Sequence, residues 1–360
     1  MRGRYLVLFF WLGLTSICGG QPLYFEPSVK VGHYTPFSEK HKYIANYQQY
    51  GLQFNAGWGN YGLMAGYTHN TLDSVVYYTH EGNQYGPVGH CFSLAGYVDE
   101  TFYKSQYWSL DFDIIYGADL WTRHGNEMLG SALNFHVSFD IGPTVRLNDR
   151  TDLVLRYLYY HSSNGATFLP DNGINSHQVR LGLRYYPQGR PTRDTESQEA
   201  SPSKNNWFVS EGIGFLQTYT RVGDQLPDET PYFLGNTLRF GFTRQFHPRF
   251  RWDAAVDLLW TGETRYCHEL KGVDYNFWNS THLAASADFE VLFGRFAFCA
   301  GMAYYLYHGS EYLPEFYTPY YERVGYKLYL GETRRMYIGT FMKIHLNSID
   351  YIEWTYGIHF

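Results

Sequence analysis

The chain has 360 residues, a net charge of −6 at pH 7, 20% aromatic side chains, and equal numbers of tyrosine and glycine, 36 of each. It carries no basic cluster of the kind that reads phosphate backbones, so no nucleic acid is expected as a partner. Past Leu14 no stretch approaches the ~20 apolar residues of a membrane helix. Abundant tyrosine and glycine at modest hydropathy suit a transmembrane β-barrel, where only alternate residues meet lipid and aromatics gather at both interfaces.

Arg2 and Arg4, the apolar run Tyr5 to Leu14 and the small residues Cys18-Gly19-Gly20 have the layout of a secretory signal peptide over residues 1–20. Cleavage is expected near Gly20/Gln21, and Ile17 before Cys18 fits lipoprotein processing poorly. From Gln21 the chain reads as successive hairpins. Short turns fall at Gly59-Asn60, Lys104-Ser105-Gln106, Asn148-Asp149-Arg150, His247-Pro248-Arg249, Gly294-Arg295 and Gly331-Glu332-Thr333. Between them lie longer polar stretches near 35–46, 71–88, 122–131, 163–174, 221–232, 262–278 and 308–318. Short periplasmic turns alternating with long outer loops is the transmembrane-barrel pattern.

Within the hairpins hydrophobicity alternates with period 2. Leu133, Phe135, Val137, Phe139 and Ile141 alternate with Asn134, His136, Ser138 and Asp140. Leu283, Ala285, Ala287, Phe289, Val291 and Phe293 are set against His282, Ser286, Asp288 and Glu290. The polar sets would be costly in lipid and are expected to face a lumen. The final segment alternates Ile352, Trp354, Tyr356, Ile358 and Phe360 with Glu353, Thr355, Gly357 and His359. Such an ending resembles the signal read by the barrel-assembly machinery, an expected partner.

Residues 188–205, polar and carrying Pro191 and Pro202, read as a linker between residues 21–187 and 206–360. The expectation is therefore an all-β, antiparallel outer-membrane barrel of about sixteen strands, in two halves of about eight. The halves could close one large barrel or two small ones. A single barrel is the simpler expectation, because two would require each half to close independently. Cys91, Cys267 and Cys299 lack metal-ligand spacing, so neither a metal nor another cofactor is expected. Oligomeric state is not legible.

The chemistry-bearing residues lie between 157 and 186. Leu153, Leu155, Tyr157 and Tyr159 form an apolar face opposite Arg156, and His161 and Ser163 continue that face toward the outer end. After the loop, Val179, Leu181, Leu183 and Tyr185 form an apolar face opposite Gln178, Arg180 and Arg184, and Asn175 and His177 extend it. His161, Ser163 and Asn175 should therefore converge where two adjacent strands leave the outer leaflet. A serine beside a histidine, with an amide to orient the ring, is a hydrolytic constellation. Two further His-x-Ser triplets occur. His136-Val137-Ser138 falls mid-strand on the lumenal set and reads as structural. His308-Gly309-Ser310 sits at an outer strand end and echoes the first without its following asparagine.

The longer pattern is more specific. His161-x-Ser163-Asn164-Gly165 followed by Pro170-x-Asn172-Gly173-x-Asn175 resembles the signature of the lipid A 3-O-deacylase family, the PagL-like barrels also called acyloxyacyl hydrolases. The first half resembles an eight-stranded member, and the second half the C-terminal region of longer relatives. The resemblance implies Ser163 as nucleophile and His161 as general base, with Asn164 and the backbone amides near Gly165 and Ala166 serving the oxyanion. It also implies lipid A, or lipopolysaccharide of the outer leaflet, as substrate. The departure is Asn175, where better-known members have glutamate; Asp171 and His177 are the alternative acid partners. Two rival classes remain at this stage. A porin would use charged constriction residues such as Arg156, Arg180, Arg184, Asp288 and Glu290, and an adhesive barrel would act through its outer loops.

Overall fold

The structure, a computed structural model, describes residues 23–36, 39–79, 82–165, 167, 169, 171–190, 205–217, 231–312, 318–331, 333–345 and 348–360. The signal peptide, most of the 188–205 linker, and Ala166 and Pro170 lie outside the described residues.

Two closed antiparallel barrels of eight strands each make up the fold. The first contains β1 (Leu23–Tyr34), β2 (Gln48–Trp58), β3 (Tyr61–Asn70), β6 (Cys91–Lys104), β7 (Trp108–Trp121), β8 (Leu133–Arg146), β9 (Thr151–Ser163) and β10 (Ile174–Tyr185). A small outer hairpin, β4 (Val75–Thr79) and β5 (Gly82–Gly86), interrupts it between β3 and β6. The second contains β11 (Asn205–Gln217), β12 (Tyr232–His247), β13 (Phe250–Thr261), β14 (Thr281–Phe293), β15 (Phe296–Tyr307), β16 (Tyr320–Leu330), β17 (Met336–His345) and β18 (Ser348–His359). Helix α1 (Glu263–Lys271) and a 3-10 turn (Phe277–Ser280) occupy the long loop between β13 and β14. Among the described residues no helix is long and apolar enough to cross a membrane.

Alternation carries through to burial. In β18, Trp354 is 55% exposed and Tyr356 48%, whereas Glu353 and Thr355 between them are 3% and 5% exposed. The exposed series is the lipid-facing belt, and the buried series fills the lumen.

The expectation of a single barrel is overturned. β1 pairs with β10, placing Val31 opposite Val179, and β11 pairs with β18, placing Val209 opposite Ile358. Each half has an even number of strands, so its first and last strands meet antiparallel and no edge is left unpaired. Each half also carries its own lumenal charge complement. In the first barrel Arg156 pairs with Asp111 and Asp113 at 3.1 and 3.3 Å, Arg184 pairs with Asp99 and Glu26 at 2.7 Å each, and Arg180 pairs with Glu26, Asp113 and Asp140. In the second, Arg239 reaches Asp257 and Asp288 at 2.9 and 2.7 Å, Arg323 reaches Glu353 at 2.8 Å, and Lys327 bridges Asp253 and Glu290.

Eight-stranded barrels enclose a space that side chains can fill. The five residues a porin would have placed at its constriction, Arg156, Arg180, Arg184, Asp288 and Glu290, are instead buried in these ion pairs. His136-Val137-Ser138 belongs to the same lumenal packing. His136 Nδ1 lies 2.9 Å from Asp119, and the Ser138 hydroxyl donates to Asp140 at 2.5 Å.

At its outer end the first barrel is stoppered by a buried apolar cluster that includes Tyr34, Ile44, Leu72, Val75, Val88, Trp121, Met128, Leu129 and Ile174. The cluster draws on the outer loops as well as the strand ends. It therefore fixes the loops that frame the top of β9 and β10.

Candidate active site

The β9–β10 hairpin sets the geometry. His161 stands opposite Asn175 in the register, and Tyr159 opposite His177. Because side chains alternate, His161, Ser163 and Asn175 share the outward face, while Ser162 turns inward and accepts from Trp121 Nε1 at 3.1 Å. His161 Nε2 lies 2.9 Å from Ser163 Oγ, and His161 Nδ1 lies 2.7 Å from Asn175 Oδ1. An amide oxygen can only accept, so Nδ1 carries the ring proton and Nε2 presents its lone pair to the serine O–H. This is the hydrogen-bonding order of a serine hydrolase triad, with an amide in the third place.

The support around this chain of three is specific. The Tyr159 hydroxyl donates to the same Asn175 oxygen at 3.0 Å. Behind the ring, Gly173 has a φ of +70°, a left-handed conformation that disfavours a side chain. A Cβ there would sit 3.0 Å from His161 Cε1 and 3.3 Å from Ser163 Cβ. The Gly173 N–H donates to the Met128 carbonyl at 2.9 Å, and Asn172 Nδ2 donates to the Glu127 carbonyl at 2.6 Å. The Glu127 carboxylate in turn accepts from the Tyr43 hydroxyl and the Val76 N–H at 2.7 and 3.1 Å. The loop entering β10 is thus tied to the apolar stopper, which holds Asn175 against the histidine.

Asp171 accepts the backbone N–H of Asn164 at 3.0 Å, and His177 Nδ1 lies 2.6 Å from the Tyr157 hydroxyl with the two rings stacked. The Asn164 backbone amide is therefore engaged by a carboxylate, and Gly165 follows it with a φ of +65°. Among the described residues no cluster of three or more His, Cys, Asp or Glu is placed to hold a metal ion.

Two family models match the chain, one for lipid A 3-O-deacylase (PagL) over residues 10–184 and one for the acyloxyacyl hydrolase C-terminal domain over residues 205–360. The chain belongs to the PagL lipid A 3-O-deacylase family. It is a long member, with the additional C-terminal half. Among solved structures, the outer membrane enzyme PagL is 17% identical over 44% of this chain and 97% of its own, with a TM-score of 0.32. The outer membrane protein Ail of Yersinia pestis is 15% identical over 44% of this chain and 99% of its own, with a TM-score of 0.25. The NanC porin is 7% identical over 92% and 97%, with a TM-score of 0.17. No curated protein matches in a sequence search.

Two contacts are not legible in the alternation of the sequence, one at this PagL-family site and one in the second barrel. Alternation alone places Tyr159 on the apolar face, whereas the register makes it the diagonal cross-strand neighbour of Asn175, within reach of a long side chain. Counting back from the hairpin turn would have found it. The second is the partner of Ser310. His308 Nδ1 bonds the Ser310 carbonyl oxygen at 2.6 Å, and the Ser310 hydroxyl meets His268 instead.

Proposed function

We propose that the protein is an outer-membrane esterase that removes an ester-linked acyl chain from lipid A in the surrounding outer leaflet. The observation that carries this reading is the outward-facing chain Asn175–His161–Ser163, at 2.7 and 2.9 Å, on strands whose lower outward residues are lipid-exposed. A site on the outside of a barrel suits a substrate that is itself the membrane.

In the proposed reaction Ser163 Oγ attacks the acyl carbonyl carbon while His161 Nε2 takes the hydroxyl proton. The carbonyl π pair moves onto oxygen, and we assign the Gly165 N–H and the Asn164 side chain to receive it. Collapse breaks the bond to the sugar oxygen, which leaves with the proton from His161. Water then repeats the sequence on the acyl-Ser163 ester and releases the fatty acid. Asn175 holds the ring and Tyr159 holds Asn175, rather than touching the substrate.

The test is mass spectrometry of lipid A from cells producing the wild type, Ser163→Ala or Ser162→Ala. Loss of one acyl chain is expected with the wild type and with Ser162→Ala, whose hydroxyl faces the lumen, and intact lipid A with Ser163→Ala. Unaltered lipid A in all three, with each barrel folded in the outer membrane, would refute the reading.

Asn175→Glu supplies the charge that an amide cannot. A carboxylate beside the imidazole favours its protonated form, which stabilises the imidazolium formed on attack and raises the ring pKa. The sign follows directly. The high-pH plateau of kcat/KM should rise, while the acid limb, where the base is lost by protonation, should move to higher pH. An unchanged plateau would mean that Asn175 does not face the reacting histidine.

Gly173→Ala should impair the site while sparing the barrel. The new methyl group must push the His161 ring aside or shift the loop, and a misplacement of about 1 Å can cost about 10²-fold in rate. Comparing turnover with gel mobility of the folded barrel checks both halves of that statement.

A further inference from the structure

The geometry points to a second serine hydrolase centre in the second barrel, with Ser310 as nucleophile, His268 as base and the Asp274 backbone carbonyl as orienting group. Ser310 Oγ lies 2.7 Å from His268 Nε2. His268 Nδ1 lies 2.8 Å from the Asp274 carbonyl oxygen. A carbonyl oxygen only accepts, so the proton is on Nδ1 and the Nε2 lone pair faces the serine O–H. This is the same tautomer, in the same order of atoms, as the Asn175–His161–Ser163 chain, with a main-chain oxygen in place of the amide. The Tyr312 N–H donates to Ser310 Oγ at 3.0 Å, which steadies negative charge as the hydroxyl loses its proton.

The histidine is rigidly held. It lies on the buried face of α1 with Glu263, Thr264 and Cys267, and the rings of Tyr275 and Tyr312 meet it edge-on at 5.8 and 5.1 Å. A left-handed Gly272, with φ of +64°, ends the helix and turns the chain so that Asp274 comes back to His268. Gly309 lets the serine loop lie directly on the 3-10 turn, since a Cβ there would come within 2.3 Å of the Trp278 carbonyl oxygen. Ser310 is as enclosed as Ser163, at 5% against 2% exposure, so burial does not separate the two centres.

The surroundings indicate the substrate class. Phe277 and Trp278, 61% and 65% exposed, form an edge-to-face aromatic pair on the turn that abuts Gly309. An exposed aromatic pair at an outer strand end suits the membrane interface and an acyl chain. Lys271 lies over the Tyr312 ring at 5.7 Å, bringing positive charge to the same edge. The substrate is accordingly a carboxylic ester of an acyl chain on an amphiphile. Ser310 Oγ bonds to the acyl carbon as its proton passes to His268 Nε2. The ester C–O bond then breaks, the alcohol leaves with that proton, and water hydrolyses the acyl-serine to a free fatty acid.

The probe is a fluorophosphonate, which phosphonylates activated serines with loss of fluoride, applied to the full-length protein in detergent and read by peptide mass spectrometry. With Ser163→Ala, label is expected on Ser310. With Ser163→Ala/His268→Gln, labelling should slow by about 10²-fold or more, the usual scale for a lost general base. An unlabelled Ser310 in a chain that migrates as folded barrels overturns the proposal, as does equal labelling with Gln at 268; a hydroxyl that only pins a loop gives those results. Because the wild type reports Ser163 and Ser310 as separate peptides, the second centre can fail while the first stands, or the reverse.

Discussion

His161→Gln is expected to lower deacylation of lipid A by about 10²–10⁴-fold, the range over which a positioned general base contributes. The glutamine side chain can approach Asn175, but it has no basic nitrogen to take the Ser163 proton. The effect should fall mainly on kcat, because His161 faces the serine rather than the lipid headgroup. Combined with Ser163→Ala it should cost little more than either change alone, since the pair acts as one unit. A purely positional role for His161 would instead give additive losses and a changed KM. Steady-state kinetics on lipid A in mixed micelles, with the four variants of this cycle, separates the two. A wild-type rate from His161→Gln would remove His161 from the mechanism.

How far such a site can be read in advance depends on how local its contacts are. The convergence of His161, Ser163 and Asn175 followed from period-2 alternation on two strands of one hairpin, and the register places them as that alternation requires. The β18 pattern is equally local, and its exposed and buried sets match the alternation from Glu353 to Phe360, while Ile352, expected on the outward set, is buried. Barrel closure was not legible, because it rests on contacts between chain ends. The ion pair of Glu26 with Arg180 joins residues 154 apart, and no local pattern distinguishes that seam from a continuation into the next half. His268 is illegible for a related reason. Its helix lies inside a segment that reads as a polar loop, and His308, two residues from Ser310, is the nearer candidate in sequence but bonds a carbonyl in space.

The lumenal network makes the seam itself testable. Arg180→Met is expected to destabilise the protein by about 3–5 kcal/mol, the usual consequence of breaking a buried pair by removing one partner. Arg180 is fully buried and pairs with Glu26, Asp113 and Asp140, so methionine would leave three carboxylates with fewer cations to face. Arg184 would still hold Glu26, and Arg156 would still hold Asp113. Asp140 would keep the Ser138 hydroxyl, a neutral donor. By contrast, Arg146→Met removes a pair with a mostly exposed Asp149 and should cost less than about 1 kcal/mol. Urea unfolding followed by gel mobility of the folded barrel compares the two on one scale. Equal midpoints would mean that backbone pairing alone closes the barrel. The outcome also bears on chemistry. β10 carries Arg180 inward and Asn175 outward, and β9 carries Arg156 inward and His161 outward, so the lumenal charges brace the strands whose outer faces hold the candidate triad. Deacylation by Arg180→Met should accordingly fail at lower urea than in the wild type, in step with the loss of the folded band.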